Sequence, residues 1–139
     1  MNRRFESRSR RRGLATIEAA LVFPLLVLVT FGCIEYGWIF LKSQQITNAA
    51  RQGARIGARP DSVNGDVTGA IATMLGAVGI GSGEYSVSIV PTDVTTPEPG
   101  DILTVTVTVP YTNIDLTGAP FLPVPTNLSA AISMAKEGP

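Results

Sequence analysis

The longest apolar stretch of the chain lies close to its N-terminus. Residues Leu14–Leu41 carry charge only at Glu18 and Glu35, and the 16 residues between these two glutamates are uncharged. As an α-helix, the 28 residues would span roughly 42 Å, enough to cross the hydrocarbon core of a bilayer and reach an interface. The pattern therefore predicts a transmembrane helix over residues 14–41.

A polar continuation follows, and it contains no helix breaker before Gly53. We expect the helix to extend over residues 42–59 and to end before Pro60, because proline disfavours a helical residue ahead of it. Two sets of side chains recur every four residues along this extension, on opposite faces of the helix. The small stripe comprises Ala49, Gly53 and Gly57, and the basic stripe comprises Arg51, Arg55 and Arg59.

Both stripes are candidate partner contacts. The small stripe lets another backbone approach closely, either the chain's own sheet or the helix of a neighbouring subunit. The basic stripe would contact lipid headgroups or the acidic body of another subunit, or it would remain a solvated face that is favourable near a helix C-terminus.

Residues 60–139 show both helical and strand periodicity, which predicts a small extracytoplasmic α+β domain. Apolar residues spaced three and four apart predict a second helix over about residues 65–78. Its expected buried face comprises Val67, Ala70, Ile71, Met74, Leu75 and Val78. Alternating apolar and polar residues predict three strands in an antiparallel sheet packed on the helices. The strands are Tyr85–Val90, Ile102–Val109 and Asn127–Met134, with a hairpin loop at Thr92–Asp101 and an irregular, proline-rich loop over residues 110–126.

Charge is distributed unevenly, although 11 basic and 11 acidic residues give a formal net charge of zero. Six of the basic residues precede Gly13, whereas the sequence from Leu14 onward carries 5 basic and 10 acidic residues. This asymmetry predicts a basic leader peptide at residues 1–13 in the cytoplasm, with residues 60–139 on the other side of the membrane. The acidic body argues against nucleic-acid binding.

The composition disfavours catalysis. The chain has no histidine, which excludes a Ser-His-Asp or Cys-His catalytic set and any metal site with a histidine ligand. Its one cysteine excludes an intrachain disulfide. Asp61 and Asp66 are too sparse for a calcium-binding loop, and we expect them to cap the second helix. We therefore expect no enzymatic activity, no metal and no cofactor.

The junction between the leader and the apolar stretch combines Gly13, Leu14 and Glu18. An acidic side chain at the centre of a bilayer costs on the order of 2.5–3.5 kcal/mol, so an intramembrane carboxylate is a functional hypothesis. Cleavage after Gly13 would give Leu14 a positive amino group one helical turn from Glu18. That pairing, or the same pairing between neighbouring helices, would offset part of the cost. The alternative is an interfacial Glu18 in an uncleaved anchor.

Two further residues in the apolar stretch are candidates for helix assembly. Pro24 lacks a backbone donor and clashes with the Ala20 carbonyl, so we expect a kink. That kink is either a flexible point used on leaving the bilayer or a feature that the helix tolerates. Glu35 lies near the far end, where it is either interfacial or the partner of a cation on a neighbouring helix.

On these residues the sequence resembles type IV prepilins and pseudopilins. It looks most like the TadE-like family of minor pilins of tight-adherence (Tad/Flp) pili. The resemblance rests on Gly13 and Glu18, on residues 18–26 and 31–37, and on Ala49–Arg55. It spans roughly residues 10–59, which is under half of the chain.

The resemblance implies cleavage after Gly13 by a prepilin peptidase and assembly of the mature subunit, through its helix, into a pilus or a related secretion filament. It implies pilin or pseudopilin subunits as partners. It also implies a single-pass location in the inner or cytoplasmic membrane before entry into the pilus. The second hypothesis is an uncleaved, signal-anchored envelope domain that acts as a binding module. A membrane-tethered enzyme is a third hypothesis, which the absence of histidine disfavours.

Overall fold

A computed structural model of the chain describes residues 6–116, 118 and 123–138, with side chains described from residue 15 onward. The helices are α1 (Glu6–Gly57) and α2 (Asn64–Gly76), and the strands are β1 (Ser86–Val90), β2 (Ile102–Pro110) and β3 (Asn127–Ala135). The predicted α+β class is confirmed, with a long N-terminal helix, a second helix and a three-stranded antiparallel sheet. Two compact units make up the chain, Met1–Gly37 and Trp38–Pro139.

The first unit consists of the N-terminal part of α1. The helix begins at Glu6, ahead of the predicted start at Leu14. Arginine favours helix, and one interior glycine costs only about 1 kcal/mol relative to alanine, so Gly13 does not interrupt it. The first two arginines of the predicted leader, Arg3 and Arg4, lie outside the described residues.

The apolar side chains of this unit are largely exposed. Leu21 is 74% exposed and Phe23 is 68% exposed. Among the described residues, one helix, Ala15–Gly57, is long and apolar enough to cross a membrane, and an 18-residue window within it has a mean hydropathy of 2.3. Exposure of this kind on a continuous apolar helix indicates a surface that another apolar medium covers.

In the second unit, α2 buries a narrower face than its sequence predicts. Its buried residues are Val67, Ile71 and Leu75, spaced four apart, whereas Met74 is 40% exposed. The prediction of Met74 on the buried face is therefore wrong, because α2 packs through one narrow row rather than a broad stripe. At the start of α2, the Val63 amide donates to Asp66 Oδ2 at 3.1 Å, which confirms Asp66 as a cap residue.

The sheet has the order β1-β2-β3, and both pairings are antiparallel. Within it, Val105 of β2 lies opposite Ile89 of β1 and Ile132 of β3. Along β2, Leu103, Val105, Val107 and Val109 are buried, and the intervening threonines are half-buried. On the outer face, the hydroxyls of Thr104 and Ser133 are hydrogen-bonded at 2.8 Å. The predicted alternation of β2 between a buried apolar face and a hydroxyl-rich face is confirmed.

The core of the second unit forms where the C-terminal part of α1 meets α2 and β2. Ile46, Ala49, Ala50 and Ala54 of α1 join the buried faces of α2 and β2 in one hydrophobic cluster. Because most of these α1 residues are alanines, the helix lies close to its neighbours.

The loop after β2 starts with a short 3₁₀ helix over Tyr111–Asn113. The Tyr111 amide donates to the Thr126 carbonyl at 2.9 Å, which joins the two ends of the loop. Pro120 of the predicted proline-rich loop lies outside the described residues.

Candidate assembly helix

The predicted processing site lies within α1. Gly13 and Leu14 both have helical backbone, and the Leu14 side chain lies outside the described side chains. Among the residues, only proline is a weaker helix former than glycine. Cleavage of this bond stays a prediction.

Glu18 and Pro24 both lie on exposed positions of α1. Glu18 is followed by exposed apolar residues, so its carboxylate belongs to a surface that lipid or other helices would cover. Pro24 lies inside α1 and leaves the Ala20 carbonyl without its usual donor. In lipid, such a carbonyl needs another donor from local adjustment or from a neighbouring helix.

Glu35 differs from every other ionisable group in the apolar stretch. It is 2% exposed, whereas its neighbours Ile34 and Tyr36 are both 49% exposed. A buried carboxylate is stable only when polar groups surround it. The two expected roles of Glu35, as an interfacial residue or as the partner of a cation on a neighbouring helix, stay predictions.

Near the start of the second unit, the side chains of Trp38 and Lys42 form hydrogen bonds to backbone carbonyls of later loops. The Trp38 indole N–H donates to the Ile114 carbonyl at 2.7 Å. Lys42 is 6% exposed, and its ammonium donates to the Val78 carbonyl at 2.9 Å and lies 4.8 Å from the centre of the Trp38 ring. The sequence indicates only that Lys42 is the first polar residue after the apolar stretch, and no local pattern predicts its burial.

The small stripe contacts the chain's own domain. A Cβ atom built on Gly53 would lie 2.6 Å from Ile71 Cδ1, and one on Gly57 would lie 2.5 Å from Leu103 Cδ2. Ala49 is completely buried in the same core. Of the two alternatives for the small stripe, these distances support contact with the chain's own domain: the positions are small because α2 and β2 lie directly against them.

The basic stripe faces the opposite way, as the sequence predicts. Arg51, Arg55 and Arg59 are all exposed. Within the part of the chain that the structure describes, these three guanidinium groups make no hydrogen bond and no ion pair. They remain available to a partner.

A buried lysine, Lys136, forms hydrogen bonds to backbone carbonyls at the C-terminal end of α1. Lys136 is 6% exposed, and its ammonium donates to three backbone carbonyls, those of Gly57 at 3.1 Å, Arg59 at 2.7 Å and Val94 at 2.8 Å. Cations stabilise the carbonyl end of a helix dipole. Sequence reasoning missed this residue, because its three acceptors lie 42 or more positions away along the chain.

The lowered pKa of Asp93 is a second electrostatic feature of this end of the domain. The Thr95 backbone amide donates to Asp93 Oδ1 at 2.9 Å, and the Thr95 hydroxyl donates to the same atom at 2.7 Å. These bonds, helped by the positive charge of Lys136, hold the pKa of the Asp93 carboxyl below its ordinary value.

Comparison with known proteins bears on the segment that contains the predicted processing site and most of the two stripes. Residues 13–55 match the family model of TadE-like proteins. This TadE-like segment begins at Gly13, includes Glu18, Pro24 and Glu35, and ends at Arg55. The resemblance stated from the sequence is confirmed over that range. No curated protein and no solved structure matched the chain. The TadE-like match indicates a minor-pilin-like protein related to Tad pili, with one apolar helix suited to single-pass anchoring.

Proposed function

We propose that the chain is a minor subunit of a tight-adherence (Tad/Flp) pilus or a related secretion system. In this proposal a prepilin peptidase cleaves it after Gly13, and it assembles with other pilin or pseudopilin subunits through α1. The observation that carries the proposal is the TadE-like match, which starts at Gly13 and runs along the exposed apolar part of α1.

The exposed apolar surface of α1 is suited to two successive environments. Before assembly, lipid covers side chains such as Leu21 and Phe23, and the chain spans the inner or cytoplasmic membrane with its N-terminus in the cytoplasm. In a filament, the helices of neighbouring subunits cover the same side chains. Pro24 weakens the hydrogen bonding of α1 within this surface, so the helix can adjust as it leaves the bilayer.

Processing would change the charge at the head of this helix. Cleavage removes the basic leader and leaves a positive amino group on Leu14, one helical turn from Glu18. An exposed carboxylate in an apolar helix surface is costly unless a positive group pairs with it. The amino group of the same subunit or of its neighbour would supply that charge, so processing and assembly are linked.

Filament incorporation tests this proposal in cells that assemble the pilus. We expect the wild-type chain in sheared filaments, and we expect Gly13→Val to remain in the membrane because a branched side chain replaces the glycine at the scissile bond. Gly37→Val is the matched control, since a Cβ at Gly37 would have no neighbour within 4 Å. Equal incorporation of both variants would contradict processing at Gly13. Retention of the wild-type chain in the membrane would favour the uncleaved, signal-anchored binding module instead.

A further inference from the structure

The second unit carries an acidic surface at the end where α1 stops. The Lys136 amide donates to the Asp101 carbonyl at 2.8 Å, and the Gly100 amide donates to the Lys136 carbonyl at 2.9 Å, so the β1–β2 loop and the C-terminal tail lie together. We call this the acidic loop surface, and its exposed carboxylates are Asp93, Glu98, Asp101 and Glu137.

Arg59 is an exposed cation beside this surface, since the Glu137 amide donates to the Ala58 carbonyl at 2.7 Å, but its guanidinium forms no ion pair with a described carboxylate. Lys136 is the one basic residue in residues 60–139, and its ammonium is buried against the carbonyls of Gly57, Arg59 and Val94. The basic stripe is unpaired as well, since no described carboxylate forms an ion pair with Arg51, Arg55 or Arg59. One chain therefore carries two complementary charged surfaces that do not neutralise each other.

We propose that the basic stripe of one subunit binds the acidic loop surface of a second copy of this chain. The contact joins two different surfaces of the same chain, so a pair of subunits keeps one free basic stripe and one free acidic loop surface. A contact of this heterologous type leaves one surface free at each end of the pair, where a further copy can bind. The inference rests on the proposed function, because it takes the chain to be a subunit of a filament.

The position of the basic stripe favours a protein partner over lipid headgroups. Arg51 lies ten residues beyond Leu41, the end of the predicted span, which corresponds to roughly 15 Å along the helix axis. The potential of anionic headgroups decays over a Debye length of about 8 Å at physiological ionic strength. A neighbouring carboxylate reaches the stripe directly, and a cluster of exposed charges on each side supports association even though each single pair is weak.

Salt-dependent self-association of the full chain in detergent tests the inference, with sedimentation as the readout. For the wild-type chain we expect the association constant to fall roughly tenfold between about 0.05 M and about 0.5 M NaCl. Arg51→Gln combined with Arg55→Gln should weaken association roughly five- to tenfold at low salt and have little effect at high salt. Arg59 is left unchanged because it lines a groove that also contains Asp61 and Asp66.

A matched control separates the specific contact from net charge. Ala72→Glu combined with Ser82→Glu lowers the net charge by the same amount as the double arginine variant, at two other exposed positions. It should keep the association and the salt dependence of the wild type. Equal weakening by both variants, or no weakening by the arginine variant, would overturn the inference.

Charge reversal provides an independent test of the two-surface geometry. Arg51→Glu with Arg55→Glu, and Glu98→Arg with Glu137→Arg, should each abolish most self-association, because like charges would then face each other. Mixing the two variants should restore it to within about threefold of the wild type, since each interface then joins opposite charges. No recovery in the mixture overturns the inference. So does an arginine variant that loses only its binding to vesicles of anionic lipid while self-association is unchanged.

The result of the self-association experiments does not depend on whether the chain is cleaved after Gly13. A chain found intact at Met1 in cells would contradict the proposed cleavage, whereas salt-dependent association through these two surfaces would still hold. Conversely, a correctly processed chain that shows no such association would contradict only the inference about its surfaces.

Discussion

Replacement of Gly53 by alanine is the sharpest test of how α1 packs in the domain. The added Cβ would lie 2.6 Å from Ile71 Cδ1 and 2.8 Å from Ile71 Cγ1, whereas carbon atoms pack best at about 3.5–4.0 Å. Isoleucine is stiff at χ1, and Cγ1 is not the tip of the side chain, so α1 and α2 must separate. Overpacking of this kind costs about 1–3 kcal/mol.

The higher helix propensity of alanine stabilises the Gly53→Ala variant and opposes the packing cost. A control variant is therefore needed to separate the two effects. Alanine favours an interior helix position over glycine by about 1 kcal/mol. Gly69, in the interior of α2, provides the matched control, because a Cβ there would meet nothing within 4 Å. We expect Gly69→Ala to stabilise the domain by about 0.5–1 kcal/mol and Gly53→Ala to destabilise it by about 1 kcal/mol. The difference between the two variants isolates the packing cost.

Trp38 is the single tryptophan of the chain, and its fluorescence reports unfolding of the second unit in detergent. Denaturant titrations of the two variants and the wild type then give the free energies of unfolding. If Gly53→Ala stabilises the domain as much as Gly69→Ala, α1 does not lie directly against α2, and the assignment of the small stripe to the chain's own core is refuted.

Three further predictions concern charged groups. Lys136→Met should lower the free energy of unfolding by about 3 kcal/mol, because three carbonyls lose a charged donor; a loss below about 1 kcal/mol in the same titration would contradict this. For Asp93, a pKa lowered in the folded state stabilises the fold above the unfolded pKa of about 3.9, and this contribution disappears as the pH falls through the folded pKa. The difference in melting temperature between wild type and Asp93→Asn should therefore shrink as the pH drops from about 5 to about 2, and a constant difference would argue against the assigned cause. Glu18→Ala should insert normally into membranes yet be depleted from sheared filaments; unchanged incorporation would count against the pairing of Glu18 with the Leu14 amino group.

The parts of the fold that follow from local periodicity are those that the sequence predicts well. The Thr-Val alternation of β2 fixes which face is buried, because a strand alternates its side chains strictly. The end of α1 at Gly57 follows in the same way from Pro60. The buried face of α2 is predicted less well, since Met74 has helical spacing but is 40% exposed. The exposure of Met74 depends on how much of α2 its neighbours in the fold cover, and no local sequence pattern predicts this.

The functional residues of the candidate assembly helix also differ in how well the sequence predicts them. Gly13 and Glu18 stand out in the sequence because a carboxylate in an apolar helix is rare and costly. Lys136 and Lys42 do not stand out, although both are buried, because their acceptors are backbone carbonyls of distant segments. The burial of Glu35 is not predicted either, because no local pattern distinguishes it from its exposed neighbours Ile34 and Tyr36.

The central claim is that this chain is a processed, pilin-like subunit, and the N-terminus of the mature protein tests it most directly. The measurement is the intact mass and N-terminal peptide of the chain purified from the membranes and filaments of its native cells. The account predicts a chain that begins at Leu14. A chain that retains Met1 and residues 2–13 in both fractions would contradict it.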